Sequence, residues 1–163
     1  RPDQVVVQHL LDSLSINPHV ARKSIIDVGT GGGFPGIPLA MFDPEKEISL
    51  LDSNVKKTRF LQQMVINQQL DNCTVIHSRA EDHQERYDQV ICRAFASLPN
   101  IVQFAGHLVA EGGKLLAMKG QLGPEFEALQ EGELGFRISA VEELEVPGLD
   151  AERRLVVLER VLT

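Results

Sequence analysis

The chain has no tryptophan, one tyrosine and two cysteines in 163 residues. Cys73 and Cys92 are too few and too isolated for a disulfide framework or a zinc site. Cys92 sits in an apolar run. It reads as a small buried strand residue rather than a nucleophile attacking a pyrimidine carbon. The five histidines show no ligand spacing, so no metal is expected. No stretch approaches the run of about 18 apolar residues that a membrane span needs. No basic-then-apolar leader opens the sequence. These absences set the expectation of a cytoplasmic chain that works as a monomer. A Ser-His-Asp set and a P-loop are also missing, which removes the common nucleophilic and phosphate-cradling chemistries.

Charge is short on the basic side. The formal net charge is −7, with 16 basic and 23 acidic residues. The imbalance is local: residues 121–163 hold ten acids and four bases, while the other 120 residues hold thirteen and twelve. The first three quarters are therefore nearly neutral. A basic patch can exist there, but a strongly basic nucleic-acid footprint is absent.

What is present is an alternating pattern. Hydrophobic residues make up 43% and charged residues 24%, ordinary for a globular fold. The length suits one domain spanning 1–163, with a helical lead-in over 1–20 and a core over 21–163. Val5, Val6, Val7, Leu10, Leu11 and Leu14 mark an amphipathic helix closed by Asn17-Pro18. Strands are predicted at Ser24–Val28, Ile48–Leu51, Cys73–Ser78, Asp88–Cys92 and Lys114–Met118. A helix opening near Pro35 and Pro38 ends at Asp43-Pro44. A second runs Asn54–Leu70, with Phe60, Leu61, Met64, Val65 and Leu70 facing the core. A third runs Ile101–Val109, and Gly112-Gly113 turns into the fifth strand. Phe136–Val146 and Arg154–Val161 are two more strand-like runs. Only the seven residues Pro147–Arg153 separate them. That is too short for a crossover helix, so the last two strands should be antiparallel.

The chemistry concentrates in Asp27-Val28-Gly29-Thr30-Gly31-Gly32-Gly33-Phe34-Pro35-Gly36. An apolar run leads in and a helix follows, so the glycines form a strand-to-helix turn. A turn without side chains lets a ligand lie on the main chain, and free N–H groups at a helix start suit polar or anionic groups. Asp52 ends the next apolar run, 19 residues after Gly33. In a doubly wound sheet a carboxylate there meets a ribose diol. Glycine turns join strands to helices in many folds, so the string alone does not decide. The acid at Asp27, two residues before the first glycine, resembles motif I of S-adenosylmethionine (SAM) methyltransferases more than a dinucleotide fingerprint.

Further strings recur along the chain: HLLDS at His9–Ser13, DVGTGGGFPGIP at Asp27–Pro38, LLDS at Leu50–Ser53 and KKTRFL at Lys56–Leu61. SRAE at Ser78–Glu81, RAFASL at Arg93–Leu98, MKGQ at Met118–Gln121 and VPGLD at Val146–Asp150 complete the set. Together and in this order they resemble the RsmG (GidB) family of bacterial methyltransferases acting on guanine N7 in 16S ribosomal RNA. The resemblance implies a Rossmann-like class I SAM methyltransferase fold. Its mostly parallel seven-stranded sheet ends in an antiparallel hairpin, with helices on both faces. It implies SAM as cofactor, and 16S ribosomal RNA or the small ribosomal subunit as partner. The family carries an N-terminal helical extension that this sequence does not include. The family's Gly-Lys-Arg after the second acid reads Val55-Lys56-Lys57 here. That keeps charge but loses arginine's bidentate fork.

By this resemblance Gly29, Phe34, Ala80, Glu81 and Arg93 contact SAM. Gly29, Gly31 and Gly33 let the backbone approach its methionine part. Asp52 accepts from the ribose hydroxyls, and Ala80 and Glu81 flank the adenine. Glu81 also reads as a surface acid beside Asp82. Arg93 reads as a clasp for a cofactor carboxylate or an RNA phosphate, or as a structural ion pair. Asp27 orients the glycine loop through main-chain N–H groups. Phe95 is either a stacking surface for the target base or core. Arg93 and Phe95 are the positioning candidates. Lys56, Lys57, Arg59, Arg79 and Lys119 lie near the carboxyl ends of predicted strands and are candidate phosphate contacts, with solvated charge as the plain alternative. His9 either reaches that rim or packs.

The emptiness of the acid–base inventory suits guanine N7, which carries an in-plane lone pair and no proton. Attack on an activated methyl then needs alignment and exclusion of water rather than a general base. A base must be extruded or single-stranded to be reached. Two other functions fit parts of the pattern: a small-molecule SAM methyltransferase, and a non-enzymatic nucleotide-binding module.

Overall fold

The computed structural model describes residues 2–21, 23–93, 97–120, 133–145 and 153–161. Helix α1 (Pro2–Ser15) and a 3-10 turn (Asn17–His19) lead into strand β1 (Ser24–Val28). There follow α2 (Gly36–Phe42), β2 (Glu47–Asp52), α3 (Val55–Asn67), β3 (Cys73–His77) and β4 (Tyr87–Arg93). Then come α4 (Leu98–Ala105), β5 (Val109–Lys119), β6 (Phe136–Glu143) and β7 (Arg154–Arg160). Seven strands form one sheet in the order β3-β2-β1-β4-β5-β7-β6. The first five run parallel, and β7 is antiparallel to both β5 and β6. The antiparallel ending predicted from the short connection is present.

Successive residues of a strand face opposite sides of the sheet, and both sides are apolar here. Ile25, Ile48, Leu50 and Ile91 pack with Ile37 and Leu39 of α2, Leu61 of α3, and Ile16 and Val20 after α1. Ile26, Val28, Leu51, Val90 and Cys92 pack on the other face with Leu98, Ile101, Val102 and Ala105 of α4. Sheets covered on both sides are built from such continuous apolar runs. Cys92 is buried, as its setting predicted, and burial pushes its thiol up to about 12.

Caps fix the helix starts. The Asn54 side chain accepts from the N–H groups of Lys56 (2.9 Å) and Lys57 (3.1 Å), so α3 begins at Val55. Ser97 caps α4 through Asn100 N–H at 3.4 Å. That helix therefore starts three residues earlier than the apolar pattern indicated. A 3-10 turn, Gly106–Leu108, takes up its predicted end.

Two expectations need correction. Phe60, placed in the core by sequence, is 54% exposed. Thr58 and Leu61 are the buried residues of α3. Phe60 lies two positions past Thr58, about 200° around the helix, so its ring faces away. Gly112-Gly113 does not precede the fifth strand but lies inside it. Tyr87 pairs with Val109 and Gln89 with Lys114, so β5 bulges between those points. Gly112 has φ +76°, and a Cβ on Gly113 would stand 2.8 Å from the Asp88 carbonyl. Both bulge positions demand glycine.

Gly36, first residue of α2, packs against β1 and β2. A Cβ there would collide with Leu50 and sit 2.9 Å from Asp27 Oδ2. Gly36→Ala should destabilise the fold by about 1–3 kcal/mol through overpacking, measured by urea unfolding. An unchanged midpoint would show that α2 is free to shift.

Candidate active site

The site forms where β1 and β4 end side by side. Val28 pairs with Cys92, so Gly29, just past β1, stands beside Arg93, the last residue of β4. The Rossmann order places ligands at this switch point, outside the carboxyl ends of the strands. Two carboxylates shape the loop. Asp27 is buried, and its Oδ2 accepts from Thr30 Oγ1 (2.7 Å) and from the Gly36 N–H (2.8 Å). Asp52 Oδ2 accepts from the Gly31 N–H (2.9 Å), and its Oδ1 accepts from the Asn54 N–H (2.9 Å). The N–H groups of Gly29 and Thr30 also donate to the Leu51 carbonyl. The orienting role expected of Asp27 is thus visible in its bonds.

The glycines divide by task. Gly29 (φ +68°) and Gly31 (φ +59°) take left-handed backbone, and the space a Cβ would enter is open at both. Gly33 differs: its Cβ would meet Ile37 Cδ1 at 2.6 Å and Leu61 at 3.1 Å. Its small size serves packing under α2 and α3, whereas Gly29 and Gly31 leave room on the rim.

A cavity of about 330 Å³ opens beside Gly29, lined by Val28, Leu51, Asp52, Ser53, Ser78, Arg79, Ala80, Glu81 and Phe104. It gathers Gly29, Asp52, Ala80 and Glu81 of the candidate cofactor residues. Ala80 is buried and Glu81 exposed on the 3-10 turn Ala80–Asp82. An ionised carboxylate has about four acceptor positions, and Asp52 spends two on the backbone. Acceptor capacity therefore remains for a diol. The residues present fit a nucleoside cofactor: open space over two left-handed glycines, a carboxylate at the second strand end, and a small buried residue flanked by an acid.

A second cavity, about 320 Å³, lies across β4 and is lined by His9, Asp12, Arg93, Met118, Lys119, Gly120 and Arg153. Arg93 belongs to this lining. Phe34 contacts two of its residues: His9 stacks on the Phe34 ring with centroids 5.2 Å apart, and Arg93 Cζ stands 5.8 Å from the same ring. Arg93 Nη1 lies 3.1 Å from His9 Nδ1. The guanidinium donates, so Nδ1 accepts and the imidazole is neutral. Burial and the Arg93 charge both hold the His9 pKa below its ordinary value. Burial also lowers that of Arg93, opposed by the Asp27 and Asp12 carboxylates.

Of the candidate RNA contacts, His9 and Lys119 join Arg93 in the second cavity. Arg79 borders the first. Lys56, Lys57 and Arg59 are exposed on the opening turns of α3. Phe95 lies outside the described residues. Asp12, Arg153, Ser53, Ser78 and Phe104 line the cavities without having been singled out. Asp12 carried a signal, since His9 and Asp12 are three apart on one helix and share a face. Arg153 carried none. A third cavity, about 420 Å³, sits at the opposite strand ends around Ser24, Glu47, Thr74 and Tyr87. It lacks the glycine loop, Asp27 and Asp52.

The strand order with its antiparallel ending is the class I SAM methyltransferase fold. Solved structures with this fold include the glycopeptide N-methyltransferase MtfA complexed with S-adenosylhomocysteine (TM-score 0.74, 11% identity, covering 94% of this chain and 88% of that one). The ribosomal protein L11 methylase of Lactobacillus delbrueckii subsp. bulgaricus is another (TM-score 0.69, 15% identity, 93% and 77% covered). The sequence narrows the class: the family model described as rRNA small subunit methyltransferase G (GidB) matches residues 1–157. Proteins named ribosomal RNA small subunit methyltransferase G are similar to this chain. That of Marinobacter nauticus is 49% identical, over 98% of this chain and 75% of its own length. That of Neisseria meningitidis serogroup C is 45% identical, over 97% and 76%. The chain belongs to the rRNA small subunit methyltransferase G family.

Burial pushes the Asp27 carboxyl up from 3.8 to about 7, against the opposing Thr30 and Gly36 hydrogen bonds. A raised folded-state pKa means that the folded chain holds the proton more tightly. The associated stability is complete below pH 3.8 and is lost as pH rises through about 7. The stability of wild type minus Asp27→Asn should therefore fall between about pH 4 and about pH 8, measured by urea unfolding of both proteins. A constant difference would mean that Asp27 titrates as it does in the unfolded chain.

Proposed function

We propose that the protein transfers the methyl group of SAM to N7 of a guanine in small-subunit 16S ribosomal RNA. One observation carries this reading: a cavity over the glycine turn and the Asp52 strand end, and a cation-lined cavity, open on either side of the paired strand ends Val28 and Cys92. The first suits the cofactor and the second an acceptor joined to phosphates.

Bound SAM supplies a methyl group on a sulfonium, which passes to the N7 lone pair as the C–S electron pair stays on sulfur. The chain's residues do the positioning. Gly29 and Gly31 leave the main chain open to the cofactor, and Asp52 offers its remaining acceptor capacity to the ribose. Ala80 and Glu81 flank the base. Phe34, stacked on His9 and near Arg93, adds an apolar surface beside the second cavity that helps keep water from the line of transfer. N7 carries no proton, so no residue needs to take one. This agrees with a neutral His9 whose Nδ1 already accepts from Arg93. The exposed cations Lys56, Lys57, Arg59 and Arg79, with Lys119 at the second cavity, are placed to follow an RNA backbone along the rim.

Three results test the reading. Incubated with labelled SAM, 16S ribosomal RNA lacking the modification should yield labelled 7-methylguanosine after digestion. Label on another nucleoside, or only on small molecules, would overturn it. Gly31→Val should abolish SAM binding in calorimetry, because a β-branched residue is strained at φ +59° and its side chain enters the open approach. Unchanged affinity would remove the glycine loop from the cofactor site. Lys57→Ala with Lys119→Ala should weaken RNA binding and lower the slope of log affinity against log salt by about 1–2, with SAM affinity kept. An unchanged slope would take both lysines off the RNA path.

A further inference from the structure

We infer that the cavity between α1 and the ends of β4 and β5 receives the target guanine. Asp12 and Arg93 there read its Watson–Crick side: Arg93 donates to O6, and Asp12 accepts from N1–H and N2–H. The inference rests on the guanine-N7 reading above.

Two residues that line that cavity each carry a buried side-chain atom without a hydrogen-bond partner, Asp12 Oδ1 and Arg93 Nη2. Buried polar atoms are almost always paired, so an unpaired acceptor and an unpaired donor on residues lining one cavity outline a ligand that presents the complement. Oδ1 does have a charged neighbour, Arg153 Nε at 3.4 Å. That ion-pair contact fixes the place of the carboxylate without supplying a hydrogen bond. The other polar groups facing Asp12 across the cavity are His9, Lys119 and Arg93 itself. His9 Nδ1 is already taken by Arg93 Nη1.

Guanine presents the acceptor O6 beside the donors N1–H and N2–H, with N7 on the far side of O6. Adenine inverts this, placing a donor where O6 stands and an acceptor at N1. A donor beside a carboxylate therefore accepts guanine and sets like against like for adenine. The strand order fixes the direction. Across the rim run β1, β4, β5 and β7, carrying Gly29, Arg93, Lys119 and Arg153 at or just beyond their ends. Asp12 pairs with Arg153 on the β7 side. Arg93 stands next to Gly29 because Val28 and Cys92 are paired. A guanine with N1–H and N2–H on Asp12 and O6 on Arg93 points N7 towards Gly29, the cofactor side. The same two contacts thus select the base and aim the atom that is methylated.

The test uses the rRNA segment that wild type methylates, with the target guanosine replaced by inosine, which lacks only the N2 amino group. For wild type, kcat/KM should fall about tenfold or more on inosine, the loss of a hydrogen bond to a charged acceptor. In Asp12→Asn, whose side chain has one acceptor oxygen, activity on guanosine should fall and the inosine penalty should shrink towards one. Arg153→Ala should keep the penalty, since it removes the ion pair and leaves the acceptor. SAM affinity and melting temperature serve as folding controls. Asp12→Glu replaces Asp12→Asn if the latter does not fold, and as a retained acceptor it should keep a penalty. Equal rates on guanosine and inosine in wild type would overturn the inference and leave N7 methylation standing. So would an inosine penalty undiminished in Asp12→Asn. If wild type forms no 7-methylguanosine at all, the function itself fails and the inference with it.

Discussion

Asp27 is a carboxylate at the centre of the molecule, and one of its oxygens joins two parts of a turn. Thr30 and the Gly36 N–H both donate to Oδ2, so the loop leaves β1 and returns as a helix over the same atom. The residue is buried on the face covered by α2 and α3, where carrying charge is costly. Its pKa is raised accordingly. That cost is the constraint on which the site depends. Gly36 must lack a side chain for α2 to approach the carboxylate, and Gly33 must lack one for Ile37 and Leu61 to close beneath the loop. Once that packing is set, Gly29 and Gly31 have only the rim to face.

The second carboxylate works from the next strand. Asp52 holds the Gly31 N–H from outside while Asp27 holds Gly36 from inside. The loop is pinned on both sides of its glycines. Phe34, at the far end of the loop, stacks on His9 and stands near Arg93. Positioning chemistry of this kind asks for rigidity more than for reactive groups. The structure answers with hydrogen bonds to main-chain donors and a sheet packed on both faces.

Much of this was legible in residues. β1 was bounded correctly because a buried apolar run is cut off by glycine on one side and charge on the other. The antiparallel ending followed from the few residues between the last two runs. That Gly29, Asp52, Ala80 and Glu81 would share one rim was readable because each ends or follows a strand. Phe60 was misread because an aromatic beside a buried leucine fits a core pattern until Thr58 fixes the helix phase. Gly112-Gly113 has the composition of a turn, and only the pairing of β4 with β5 reveals a bulge. The cavity between α1 and β5 was hardest. Asp12 and Arg153 are 141 positions apart and meet only because β7 inserts beside β5 while α1 crosses the rim. No local pattern encodes that meeting.

The division of labour between the two cavities depends on where the cofactor lies. A crystal structure of the chain with S-adenosylhomocysteine should place the adenosine in the cavity lined by Gly29, Asp52, Ala80 and Glu81, with the ribose hydroxyls on Asp52. The sulfur should face across Phe34 towards Arg93 and Asp12. An adenosine in the cavity around Ser24 and Tyr87, or a sulfur turned away from Arg93, would contradict it.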